Sequence, residues 1–115
     1  MNESAVKVIS TWDKVKNEFP EDIKQLISKE NSDIGSKLVL LNDDDTPMEY
    51  VVFVLENLFG LENEIAVQKM LEVHEKGSST IVHSVSSESA KKLVLYLQGH
   101  ANSRGYPLKW TVENA

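Results

Sequence analysis

Between a short apolar run, Leu38-Val39-Leu40-Leu41, and a helical apolar stripe opening near Met48, the chain places Asn42-Asp43-Asp44-Asp45-Thr46-Pro47. No other feature limits the fold as tightly. Consecutive apolar residues closed by a turn signal read as a short buried strand. Thr46-Pro47-Met48-Glu49 has the grammar of a helix start: a Thr cap, Pro at the first helical position, and Glu three residues after the Thr to close a capping box. A strand must therefore give way to a helix across a turn crowded with hydrogen-bond acceptors. Asn-Asp runs before helices commonly bond to their own backbone. The contiguous Asp residues lack the alternating spacing of a calcium loop, so no metal site is expected.

From Lys37 onward the pattern reads strand, helix, helix, strand, helix, strand. The first helix starts at Pro47, carries Val51, Leu55, Leu58 and Phe59 on one face, and ends at Gly60. The second runs from about Glu62 to Lys76 and stops at Gly77; Ala66, Met70, Val73 and His74 share one of its faces. Ile81-Val82-His83-Ser84-Val85 has strand composition. A third helix follows Ser86 or Ser87 as cap, with Ala90, Leu93, Val94, Leu97 and Ala101 as its stripe. Gly105 and Pro107 separate it from a last strand near Lys109-Trp110-Thr111-Val112. Residues 1–35 form an N-terminal extension, flexible or partly helical, in which Trp12, Val15, Phe19, Ile23, Leu26 and Ile27 fall near helical spacing. Residues 36–115 form the domain.

A chain of 115 residues holds one modest core. A net charge of −6 argues against nucleic acid, whose phosphates need clustered Lys and Arg. No apolar run approaches the roughly 20 residues of a membrane span, and no signal-peptide pattern opens the sequence. Without cysteine there is no disulfide frame, thiol nucleophile or thiolate metal site.

Acceptors without basic neighbours suit a cationic donor. A free α-ammonium group offers three N–H donors and a full charge, with a pKa of about 7.7–8.0. Asn42 can supply an amide oxygen, Asp44 a carboxylate, and a neutral His74 a ring nitrogen. From spacing alone, turn chemistry competes with this reading, and His74 stands undecided between ligand and packed residue. The methionines Met48 and Met70 are unbranched and polarizable, suited to line a pocket that takes rings as well as a leucyl group. Ordinary core packing is the competing account.

The segments LNDDDTPMEYVVFVLENLFG, AVQKMLEVHEKG and GYPLKWTVENA resemble the ClpS family of bacterial adaptor proteins, over about Ser36 to Ala115. The resemblance implies an α+β fold with a three-stranded antiparallel sheet and three helices (β-α-α-β-α-β), an arrangement similar to the ribosomal stalk protein's C-terminal domain. It implies a cytoplasmic, bacterial, monomeric adaptor without cofactor or catalytic residues. Such an adaptor binds proteins beginning with Leu, Phe, Tyr or Trp and hands them to a ClpA- or ClpC-type AAA+ unfoldase of the ClpP protease. By the same resemblance Asn42, Asp44 and His74, with Asp43 beside them, contact the amine. Thr46, Met48, Val51, Met70, Val73 and Leu108 enclose the first side chain, and Glu88 docks the unfoldase. The chain departs from the family pattern at Asp45, where a bulky residue is usual, and at Leu93, where a basic one is expected. It reads one residue longer between Gly77 and Ala90.

Two other functions compete. A small hydrolase using His74 and an Asp fares poorly, because no Ser sits in a recognisable nucleophile turn. An interaction domain of the same architecture with another peptide ligand remains, since fold does not fix function.

Overall fold

A computed structural model describes residues 19–28 and 35–114. Its elements are α1 (Glu21–Ser28), β1 (Ser36–Leu41), α2 (Met48–Asn57), α3 (Asn63–Lys76), β2 (Ser78–Val85), α4 (Ser87–Asn102) and β3 (Trp110–Asn114). Within the domain the order β-α-α-β-α-β is the expected one, and α1 precedes it as a fourth helix. Much of the segment expected to form the N-terminal extension lies outside the described residues.

The apolar run becomes the central strand, because a strand paired on both edges and covered on its faces needs no polar alternation. β1 pairs antiparallel with both neighbours, giving the order β2-β1-β3. Leu38 faces Val82 on one side and Val112 on the other, and Leu40 faces Ser79 and Trp110. Pairing with β2 slips on either side of Leu38, and β2 begins at Ser78, paired with Leu41, earlier than its apolar composition suggested.

Met48, Tyr50, Val51, Val52, Phe53, Val54 and Leu55 of α2 are all buried, so this helix runs through the interior rather than along a surface. α3 buries Ala66, Met70 and Val73, and α4 buries Ala90, Leu93, Leu97 and Ala101, each at helical spacing. Full burial of one such Leu stabilises the fold by about 1.5–3 kcal/mol. Ser86 caps α4 as expected, its hydroxyl accepting from the Ser89 amide at 3.1 Å. Gly77 ends α3 at φ 94°, a left-handed conformation that a residue with a Cβ rarely adopts.

The capping box before α2 does not form. The helix begins at Met48 with Pro47 as its cap and no side-chain cap bond. The Thr46 hydroxyl donates instead to the Asp43 carboxylate, a charged bond that turns it toward the loop and away from the helix amide it would have capped. The carbonyl of Pro47 accepts from the amides of Tyr50 at 3.1 Å and Val51 at 3.4 Å, so helix geometry starts without the Thr. The same helix ends at Asn57, with Gly60 (φ 71°) in the turn beyond it.

Candidate functional site

The end of β1 is gripped from both sides. The Leu41 amide donates to the Lys109 carbonyl at 3.0 Å, and the Asn42 amide donates to the Gly77 carbonyl at 2.9 Å. These two bonds gather three segments distant in sequence: the 42–46 loop, the C-terminus of α3, and the strand approach that contains Leu108. His74 lies in the last turn of α3, half-buried, three residues before Gly77. The left-handed glycine thus both stops the helix and presents the carbonyl that receives Asn42.

Within the loop, Asn42 Nδ2 donates to Asp44 Oδ1 at 3.2 Å. That bond places the amide oxygen of Asn42 on the side away from Asp44, which orients it as an acceptor. Asp43 holds the turn: its carboxylate accepts from the Thr46 hydroxyl, and its carbonyl accepts from the Thr46 amide at 3.3 Å. Asp44 and Asp45 are exposed, while Asn42 and Asp43 are partly covered. The division of labour is visible. Asp43 shapes the loop, and Asp44 carries its charge outward.

The apolar residues expected beside these acceptors are sealed. Thr46, Met48, Val51, Met70, Val73 and Leu108 are 0–2% exposed. All but Thr46 belong to one continuous core cluster. Leu108 also borders a cavity of about 140 Å³ with Gln98, Asn102, Pro107 and Lys109. A wet acceptor rim therefore lies next to a dry apolar interior, in which the unbranched Met side chains have the most rotamer freedom.

A larger groove of about 360 Å³ lies elsewhere, between α4 and β3, lined by Lys91, Val94, Leu95, Trp110, Thr111 and Val112. Glu88, at the start of α4, is fully on the surface and pairs with Lys92 at 3.8 Å. Leu93 is completely buried, so the absence of a basic residue there is a core requirement rather than a surface change.

Sequence reading missed two links. Ser79 donates to Glu72 at 2.8 Å, and Lys69 reaches the Thr80 carbonyl at 3.3 Å; together they tie α3 to β2. The spacing of Lys69 and Glu72 hints at this, but nothing in the sequence points to Ser79. The second is the hydrogen bond of 2.6 Å between Tyr50 Oη and His100 Nδ1, whose partners are 50 residues apart.

An α+β domain with an acceptor-rich loop tied to the end of its central strand has the features of a small binding module. The family model described as ATP-dependent Clp protease adaptor protein ClpS matches residues 33–111. The chain is 46% identical over 77 residues to the ATP-dependent Clp protease adapter protein ClpS of Ruegeria sp. (strain TM1040), covering 67% of each. It is 40% identical over 89 residues to the protein of the same name from Bdellovibrio bacteriovorus, covering 77% of each. The solved structure of Agrobacterium tumefaciens ClpS2 bound to L-phenylalaninamide superposes with a TM-score of 0.65 at 30% identity, over 70% of this chain and 95% of that one. The chain belongs to the ClpS family.

Proposed function

We propose that this chain is a non-enzymatic adaptor that binds the first residue of proteins beginning with Leu, Phe, Tyr or Trp and delivers them to a Clp ATPase–protease. The observation that carries the reading is the gathering of Asn42, Asp44 and the His74 turn at one corner by the Asn42–Gly77 backbone bond. L-phenylalaninamide, the ligand of the Agrobacterium relative, has a free α-amine, a benzyl group and an amide where a peptide bond would continue. It is chemically the start of a chain that begins with Phe.

In this reading the ammonium group meets Asp44 for charge, with Asn42 and His74 for direction. Asp43 contributes by fixing the turn. The first side chain enters the apolar interior bounded by Thr46, Met48, Val51, Met70, Val73 and Leu108. Because these residues are nearly inaccessible, entry requires the flexible Met48 and Met70 side chains to turn aside. A β-branched residue would press its extra methyl against Met48, and a misplaced methyl discriminates by about 1–3 kcal/mol. Leu is therefore preferred over Ile. Exposed Glu88 is the proposed contact to a ClpA- or ClpC-type unfoldase, and the adaptor acts as a monomer.

A peptide array varying only the first residue, with free and acetylated amines side by side, tests the reading. Leu, Phe, Tyr and Trp peptides bind with free amines, and acetylation abolishes binding. Equal affinity for blocked and free peptides would end it.

A further inference from the structure

Phe19 stands immediately before α1, outside the 33–111 stretch matched by the family model. It is nonetheless only 3% exposed. Its ring lies 5.5 Å from Phe53 of α2, and 6.1 Å and 4.9 Å from Tyr96 and His100 of α4. Behind it, Tyr50 is held from two sides. The Tyr50 ring stacks on His100 at 5.8 Å, its hydroxyl bonds to His100 Nδ1 at 2.6 Å, and Tyr106 packs on its other flank at 4.9 Å. The remainder of the segment follows Phe19 onto the core, with Ile23, Leu26 and Ile27 of α1 partly buried against it.

Two members of this aromatic nest sit two residues from walls of the proposed ligand pocket. Tyr50 follows Met48 in the first turn of α2, and Tyr106 precedes Leu108 on the approach to β3. Burial leaves little room for independent movement, since well-packed interiors transmit displacements rather than absorb them. Removing the Phe19 ring empties one side of the His100 imidazole. The ring is then free to shift, which loosens the stack and the hydrogen bond that hold Tyr50, two residues after Met48.

From this geometry we infer that Phe19 is a positioning residue for ligand selection: through His100 and Tyr50 it holds Met48 and Leu108 at the separation that admits Leu and rejects Ile. The inference rests on the ligand reading above. It makes Phe19, which precedes β1, part of the functional unit.

The test compares the full chain with its Phe19→Ala, Phe19→Leu and Tyr50→Phe variants. Each is titrated by fluorescence anisotropy with two free-amine peptides that differ only in a first residue of Leu or Ile, at a temperature where circular dichroism shows it folded. In Phe19→Ala the Leu-over-Ile preference falls by about threefold or more, as expected for coupling between packed neighbours, and Tyr50→Phe moves it in the same direction. A purely structural role would lower Tm and leave that ratio in place. A smaller fall in the ratio, however far Tm drops, overturns the inference. If Phe19→Ala does not fold, Phe19→Leu is judged by the same threshold. A wild-type chain that binds neither peptide overturns the ligand reading itself, and is distinguished by failing before any variant is made.

Discussion

The two ends of the Tyr50 turn of α2 are built by opposite means. On one side the 42–46 loop is held by backbone amides and short polar bonds, with Asp44 exposed to solvent. On the other side the nest of Phe19, Tyr50, Phe53, Tyr96, His100 and Tyr106 is held by ring packing around the Tyr50–His100 hydrogen bond. Backbone bonds keep their geometry when side chains change, so the loop can alter its chemistry without losing its shape. Ring packing has no such reserve. The acceptor corner is therefore expected to govern binding with little effect on stability, and the aromatic nest to govern stability first.

The largest effect belongs to the nest. Tyr50→Ala removes a ring that is 1% exposed, and a buried aromatic truncation costs about 3–5 kcal/mol. Urea unfolding followed by circular dichroism will show a large drop in the midpoint; a midpoint near wild type would remove the basis for the contrast. Asp44→Asn tests the other side. It keeps the shape and the bond from Asn42 but removes the charge, and charged hydrogen bonds are worth about 1.5–3 kcal/mol, so affinity for a free-amine Phe peptide falls by roughly tenfold or more. The urea midpoint stays put, as for an exposed substitution. Affinity should fall further as pH rises above the ligand amine's own pKa of about 7.7–8.0, where the ammonium loses its proton.

Gly77→Ala gives the smallest effect and sits between the two regimes. At φ 94° an added Cβ is strained by about 1–2 kcal/mol although it meets no neighbouring atom. The same residue supplies the carbonyl that holds Asn42, so stability and affinity both decline modestly. If affinity were untouched while stability fell, the Asn42–Gly77 bond would not be what orients the acceptors.

How much of this was readable beforehand varies by element. Helices α3 and α4 follow from apolar residues at helical spacing, closed by a Gly and opened by a Ser, because local geometry and burial demand the same residues there. The central strand follows from its unbroken apolar run. The Thr46 capping box does not form because the Asp43 carboxylate draws the hydroxyl away from the helix amide, and a motif does not register that charge three residues upstream. Strand β2 extends beyond its apolar residues because Ser78, Ser79 and Thr80 are polar and owe their extended form to pairing with Leu41, Leu40 and Val39. Asn42, Asp44 and His74 were visible as residue types, and the family pattern singled them out. Nothing in their spacing brings position 42 to the end of α3.

The sequence by itself determined the order of elements and the faces they bury, because periodicity records which side of each helix or strand must leave water. Only the tertiary structure decided that Asn42 meets Gly77, that the apolar residues beside it are closed to solvent, and that Phe19 docks where α2 and α4 meet. Those are contacts between residues far apart along the chain, set by how preformed elements pack together, and a pattern confined to neighbours holds no record of them.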